Sequence, residues 1–170
     1  MPFSYRGGIC ASISHCRATQ AAGRDAHRPD NGARILFEQI WADDDLTFVG
    51  VTREGEAFAV ASGLYLGGVT PAVIIQNTGF FETGDAFRGT CYNMGLPIVM
   101  LMGYRGYQTM VPDAPRVDTA ATFLEPTLKA WDIPYSLMHN DEDAHMVADA
   151  FADARQRSRP AAVLIVNHTV

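Results

Sequence analysis

Short apolar runs rich in Val, Ile and Leu alternate along this chain with segments whose apolar residues recur at helical spacing. That is the pattern of strands buried on both faces and joined by crossover helices. It predicts strands over residues 46–51, 72–77, 97–103, 135–138 and 161–166, and helices over 33–42, 54–67, 83–94, 120–131 and 141–157. The alternation is regular from residue 33 onward and predicts an α/β fold: a three-layer α/β/α, doubly wound parallel sheet. Asn140 is placed to cap the last helix, with Asp141, Glu142 and Asp143 at the positive end of its dipole and Val147, Ala150, Phe151 and Ala154 as its buried stripe. Residues 103–118 hold Gly103, Gly106, Pro112 and Pro115, so a long connection is expected there, rimming a site or an interface. Residues 1–32 are patterned poorly. A helix is expected near residues 5–16 and an irregular passage after it, because residues 19–28 carry several charges and few β-branched side chains where a first central strand belongs.

Composition narrows the class. The 170 residues, 48% hydrophobic and 19% charged, suit a single domain over 1–170. A net charge of -6 disfavours a nucleic-acid binder, which carries a basic field to neutralise phosphates. There is no basic amphipathic helix for a membrane surface and no apolar run of about 18 residues, so the expectation is a cytoplasmic protein without a membrane role. Cys10, Cys16 and Cys91 lack metal-ligand pairing and read as reduced thiols. His15, His27, His139, His145 and His168 show no paired ligand spacing, so no metal site is expected from this chain alone. No internal repeat stands out.

In a doubly wound sheet, ligands bind outside the carboxyl ends of the strands. The residues there are Pro29-Asp30-Asn31-Gly32, Arg53-Glu54, Gln76-Asn77-Thr78-Gly79 and Tyr104-Arg105-Gly106. Glu54 has two readings. A glutamate in the first turn of a helix is favoured by the macrodipole alone. Against that stands the helix behind it, whose small residues Ala57, Ala59, Ala61, Ser62 and Gly63 allow close packing that would hold a carboxylate rigidly at a strand end. Asn77-Thr78-Gly79 likewise reads as a β-to-α turn in which Gly79 supplies a positive φ, or as part of a site.

The run Arg53-Glu54-Gly55-Glu56-Ala57 through Ala61-Ser62-Gly63-Leu64-Tyr65-Leu66, followed by Pro71 to Ile75 and Gln76-Asn77-Thr78-Gly79, resembles the pyrimidine-binding domain of thiamine-diphosphate-dependent decarboxylases. Within that family it is most similar to the sulfopyruvate and phosphonopyruvate decarboxylase branch. The resemblance covers about residues 29 to 170 and includes Gly103-Tyr104-Arg105-Gly106. It implies that Glu54, rather than Glu56, is the glutamate that bonds the aminopyrimidine ring nitrogen and lets the cofactor act as its own base. It also implies that Gln76, Asn77, Thr78 and Gly79 border the cofactor, and that Asp30 and Asn31 lie beside the substrate, although Pro29 to Gly32 also suits a polar helix-capping turn. Arg53, Arg88 and Arg105 are candidates for an anionic substrate tail, with solvated surface arginine as the other reading.

The resemblance implies thiamine diphosphate as cofactor, with Mg2+ held beside the diphosphate by a Gly-Asp-Gly motif and a later asparagine. This chain has no such motif; Gly84-Asp85-Ala86 is not followed by the needed residues. The expectation is therefore a separate diphosphate-binding beta-type subunit, a hetero-oligomer with self-association, and a chain inactive by itself. Phe80, Phe81, Tyr104 and Tyr107 are expected at its exposed edge. The implied reaction is decarboxylation of a small 2-oxo acid, with sulfopyruvate first and phosphonopyruvate or another 2-oxo acid as alternatives. A non-catalytic regulatory or binding module of the same fold is the alternative from another class, and a flavodoxin-like nucleotide binder is disfavoured because no Gly-rich phosphate loop follows a strand. Two stretches depart from the family pattern: the N-terminal segment, and Phe80 to Asp85 after the Gln76–Gly79 turn, which bears on the substrate.

Overall fold

The computed structural model describes residues 16–21 and 34–167 of the chain. Six strands, β1 (Cys16–Ala21), β2 (Thr47–Val51), β3 (Thr70–Gln76), β4 (Val99–Gly103), β5 (Tyr135–Met138) and β6 (Ala161–Ile165), form one sheet in the order β2-β1-β3-β4-β6-β5. Every neighbouring pair is parallel. Five α-helices make the crossovers: α1 (Arg34–Ala42), α2 (Glu54–Leu66), α3 (Asn77–Phe87), α4 (Thr119–Ala130) and α5 (His145–Arg157). The chain leaves β1 to one side for β2 and returns to its other side for β3, so the winding reverses across β1. Such a reversal opens a crevice at the carboxyl ends of the strands.

Side chains of the central strands alternate between two cores, as the pleat requires. Val73, Ile75, Met100, Met102, Ala162 and Leu164 face α2, α3 and α4, joining Ala57, Phe58, Phe80, Phe87, Leu124 and Leu128. Ala72, Ile74, Val99, Leu101, Val163 and Ile165 face the other way, toward Leu36, Phe37 and Ile40 of α1 and Val147, Ala150, Phe151 and Ala154 of α5. This is the three-layer α/β/α arrangement expected from the sequence, and the expected stripe on α5 is the buried one. Asn140 caps the turn before α5 as expected: its side chain accepts from Glu142 N–H at 2.8 Å, and Asp143 reaches back to His139 N–H at 2.8 Å. A 3-10 turn (Asp141–Ala144) precedes the α-helix proper.

Two expectations are corrected. The start of the irregular passage expected after residue 16 is instead the central strand β1, paired with β2 on one side and β3 on the other, and the remainder of that passage lies outside the described residues. Double-sided backbone pairing supplies what the side chains of Cys16–Ala21 lack in strand propensity. The rest of the N-terminal expectation, the helix near residues 5–15, lies outside the described residues. The helix expected over 83–94 begins at Asn77, directly after β3, and passes through a break at Gly84 (φ 30°, ψ -102°) into a π-helical turn (Arg88–Tyr92). An early start lets one helix bury Phe80 and Phe87 together. Phe87 stacks on Trp131 at 5.5 Å with an interplanar angle of 15°, and meets Phe80 and Phe58 edge-on at 5.5 and 5.0 Å.

Among the described residues no helix is long and apolar enough to cross a membrane. Phe87 is completely buried at the centre of this aromatic cluster. Replacing it with alanine is expected to cost about 3–5 kcal/mol, read as a shift in denaturant midpoint at unchanged m-value. A loss below about 1 kcal/mol would mean that the cluster does not hold α2, α3 and α4 together.

Candidate functional site

Arg53 is extended (φ -140°, ψ 145°), so the chain turns from β2 into α2 in one step and Glu54 becomes the first residue of the helix. Two glutamates follow that turn and the structure separates them. Glu56 folds back on the helix start, where its Oε2 accepts from both the N–H and the hydroxyl of Thr52 at 3.2 Å. It satisfies a donor that the helix terminus leaves free. Among the described residues, no group donates to the Glu54 carboxylate. That side chain lies half-buried across Gly79 of α3. A Cβ built on Gly79 would sit 2.4 Å from Glu54 Cγ and 2.7 Å from Glu54 Oε1.

Gly79 thus meets Glu54 for a reason other than the one its sequence suggests. It lies inside α3 without a positive φ, so its lack of a side chain serves the close approach of α2 and not a turn. Gly55 adds to the same crossing, since a Cβ there would lie 3.2 Å from Ala86 Cβ. Glu82, one turn further along α3, accepts from Gly55 N–H at 3.2 Å and pairs with the exposed Arg53. The hydrogen bond from Arg53, followed by that from Gly55, holds the Glu82 carboxyl below its ordinary range.

The β3–α3 junction stands beside this crossing. Asn77 is fully buried, and its amide is spent on the protein: Nδ2 donates to the carbonyls of Arg105 at 2.9 Å and Ala120 at 3.2 Å, while Oδ1 accepts from Thr78 N–H at 3.0 Å. Its side chain therefore joins the end of β3 to the loop after β4 and to the first turn of α4. Gln76 is half-buried, and Thr78 is exposed with its hydroxyl 3.4 Å from Gln76 Oε1. The loop of residues 103–118 is closed at its base. Gly106 adopts φ 83°, and a Cβ there would fall 2.6 Å from Asp118 Cβ. Asp118 also caps α4 through Ala120 N–H at 3.0 Å and pairs with Arg105 at 3.3 Å. Burial and then the Glu125 carboxylate push the Tyr104 hydroxyl far above its ordinary range; it remains a phenol 3.2 Å from Glu125 and 3.1 Å from the Ala121 carbonyl.

The structure brings Glu54 and Gly79 into contact and sets Gln76, Asn77, Thr78 and the Arg105 backbone at neighbouring strand ends. It does not bring Arg88 there: that residue follows the far end of α3 and pairs with Asp85 on the surface. Asp30 and Asn31 lie outside the described residues. The expected aromatic edge is corrected for two members. Phe80 is 1% and Tyr104 4% exposed, because α3 starts at Asn77 and turns Phe80 inward, and because the Tyr104 hydroxyl reaches under α4. The exposed aromatic face is instead a groove of about 540 Å3 between α3 and α4, lined by Phe81, Phe123, Pro126, Ala130 and Trp131. Glu82, which sequence reasoning passed over, signals itself only through its spacing of one helical turn from Gly79. Among the described residues no group of three or more His, Cys, Asp or Glu side chains is arranged to hold a metal ion.

No family model matches the chain. It is similar to sulfopyruvate decarboxylase subunit alpha of Methanothermobacter thermautotrophicus, with 26% identity over 134 residues, 79% of this chain and 80% of that one. The subunit of the same name from Methanococcus maripaludis is 27% identical over 140 residues, 81% of each chain. Phosphonopyruvate decarboxylase of Streptomyces viridochromogenes is 28% identical over 120 residues, 71% of this chain but 30% of that longer protein. These similarities agree with the resemblance read from the sequence: the chain is related to sulfopyruvate and phosphonopyruvate decarboxylases.

Two outcomes test the crossing. In a Glu54→Ala background, Gly79→Ala is expected to stabilise by about 0.5–1 kcal/mol, the usual gain for a helical glycine. In the parent the gain is expected to vanish, since the new methyl must displace the Glu54 side chain; equal effects in both backgrounds, from denaturant titration, would mean that the contact is absent. The second concerns pH. Because the folded carboxyl of Glu82 titrates below its unfolded value, its stabilisation is complete above the ordinary glutamate range and is lost as pH falls through the depressed value. The stability gap between parent and Glu82→Gln should therefore close on acidification below about pH 4.5, and a gap that widens there would contradict the assignment.

Proposed function

We propose that this chain is the pyrimidine-binding, alpha-type subunit of a thiamine-diphosphate-dependent 2-oxo-acid decarboxylase, acting first on sulfopyruvate to give sulfoacetaldehyde and carbon dioxide. One observation carries the reading: a half-buried carboxylate at a strand end, resting on a glycine of the next helix, with no donor to it among the described residues. Such a carboxylate is held in place yet keeps its hydrogen-bonding capacity for a group other than the described residues. The names of the relatives, three of them alpha subunits of sulfopyruvate decarboxylase, support the substrate and the expectation of a partner.

The residues fit the cofactor. Gly79 supplies the space in which the Glu54 carboxylate lies, and Glu56, turned away to Thr52, leaves Glu54 as the acid at that position. When bound, thiamine diphosphate supplies the electron sink on which a 2-oxo acid loses carbon dioxide. Glu54 offers one carboxylate oxygen to a ring N–H and shares that proton, a role for which a rigid, half-buried acid is suited. Asn77 keeps the β3 end, the loop after β4 and α4 in register, so Gln76 and Thr78 stand at fixed positions beside it. The Arg105 guanidinium, paired with Asp118 at 3.3 Å in the loop after β4, is the cation we assign to a sulfonate. The diphosphate and its Mg2+ fall to a beta subunit. Single-domain organisation over 1–170 and a cytoplasmic location belong to the same reading, as does a part for Asp30 and Asn31 beside the substrate. The match to phosphonopyruvate decarboxylase makes phosphonopyruvate the second acid to test.

The test is co-expression with a diphosphate-binding partner bearing the Gly-Asp-Gly motif, followed by carbon dioxide release from sulfopyruvate, phosphonopyruvate and pyruvate in the presence of thiamine diphosphate and Mg2+. Activity is expected on sulfopyruvate, none from the chain alone, and a loss on the order of 10²–10⁴-fold in Glu54→Gln, the range for a lost proton-transfer group. Glu54→Gln with parental activity would refute the role of Glu54, and a complex that releases no carbon dioxide from any of the three acids would refute the enzymatic reading.

A further inference from the structure

Glu82 stands in the stretch where this chain departs from the pattern of the family it resembles, one helical turn along α3 from the Gly79 against which the Glu54 side chain lies. Its Oε2 accepts from Gly55 N–H at 3.2 Å, and its Oε1 accepts from Arg53. These two partners are the residues immediately before and after Glu54. One contact is thus to the backbone just after Glu54 and the other to the guanidinium of the residue just before it, and together they fasten the first turn of α2 to α3, the helix that also presents Gly79. We propose that Glu82 is a positioning residue for Glu54: by gripping Arg53 and Gly55 it fixes where the first turn of α2 sits on α3, and so keeps the Glu54 carboxylate against Gly79. This rests on the reading of Glu54 given above.

The two contacts are unequal. Arg53 is 75% exposed, and an ion pair in that setting is screened by water. The Gly55 amide is a first-turn donor that the helix itself leaves without a partner, so the bond from it is the one that orients the turn. Gly55 also lies 3.2 Å, by its absent Cβ, from Ala86 on α3, so the helices are already in contact at this level. A bond made there restrains a short lever: Glu54 is one residue away, and a displacement of about 1 Å at a reacting group is enough to cost on the order of 10²-fold in rate. The Glu82 carboxylate is engaged by Arg53 and Gly55 and is given no part in proton transfer.

The experiment compares parent, Glu82→Gln, Glu82→Ala and Glu54→Gln in the reconstituted complex, measuring kcat, KM for the 2-oxo acid, and thiamine diphosphate affinity by calorimetric titration. Glu82→Ala is expected to lower kcat on the order of tenfold to a hundredfold and to weaken the cofactor several-fold, with KM for the acid changed by less than about twofold. Glu82→Gln, whose amide oxygen still accepts from Gly55, should fall between it and the parent. In the full chain alone, the Gly55 amide resonance should follow the Glu82 titration and lose that dependence in Glu82→Gln. An inactive Glu54→Gln beside a Glu82→Ala that matches the parent in kcat and cofactor affinity overturns the positioning role alone; an active Glu54→Gln overturns the reading on which it rests. Should Glu82→Ala fail to fold, Glu82→Gln carries the comparison, and a Gly55 resonance indifferent to pH in the parent overturns the proposal.

Discussion

The approach of α2 to α3 is the constraint on which the rest of the site depends. Two glycines and an alanine stand where the helices cross, and at Gly79 a single added carbon would occupy the space of the Glu54 side chain. A glycine inside a helix costs about 1 kcal/mol relative to alanine, so its presence there has to be matched by something that alanine cannot allow. What it allows here is a carboxylate seated between two helices at the open end of a parallel sheet. The small residues that follow in α2, Ala57, Ala61 and Ser62, are buried and keep the helix low on β1 and β3. The larger apolar side chains are gathered further along, around Phe58, Phe80, Phe87 and Trp131. Close packing near the strand ends and bulky packing beneath it are thus two parts of one arrangement.

Around that crossing, polar groups hold pieces of chain that are distant in sequence. The buried amide of Asn77 ties three segments together with a full set of partners, the condition under which a buried polar group specifies a structure instead of weakening it. Asp118 does the same at the base of the long loop, meeting Gly106, Arg105 and the first turn of α4. The loop between these anchors is more exposed, with Val111 and Val117 open to solvent. Its ends are fixed where they adjoin the site and its middle projects from it, as in other α/β proteins whose connections at this edge carry function.

Much of this was legible before any coordinates. Strand runs such as Ala161–Ile165 are apolar without interruption, since both their faces are covered. Asn140 with Asp143 announces a helix start through local hydrogen bonds alone. The elements that were misread are those whose cause lies elsewhere in the fold. Cys16–Ala21 has the composition of a loop and becomes a central strand because β2 and β3 offer backbone partners on both sides. Asn77-Thr78-Gly79 looks like a turn and is helix, because the space at Gly79 belongs to Glu54, a residue on another element. Tyr104 and Phe80, which sequence alone would leave at an edge, are drawn under α4 and against Trp131.

The sequence by itself therefore determined the layer architecture and the order of elements from residue 33 onward, since both follow from periodicity along one stretch of chain, while the choice of Glu54 over Glu56 is what the family resemblance implies. Tertiary structure decided which of two neighbouring glutamates is left without a donor among the described residues, which helix supplies its seat, and that Glu82, silent in the sequence, grips the turn that carries it. The physical reason is the range of the forces involved. Hydrophobic periodicity and helix capping act among residues within a few positions of each other and are written into local sequence. A 2.4 Å exclusion between Glu54 and Gly79 joins residues that only the folded sheet brings together.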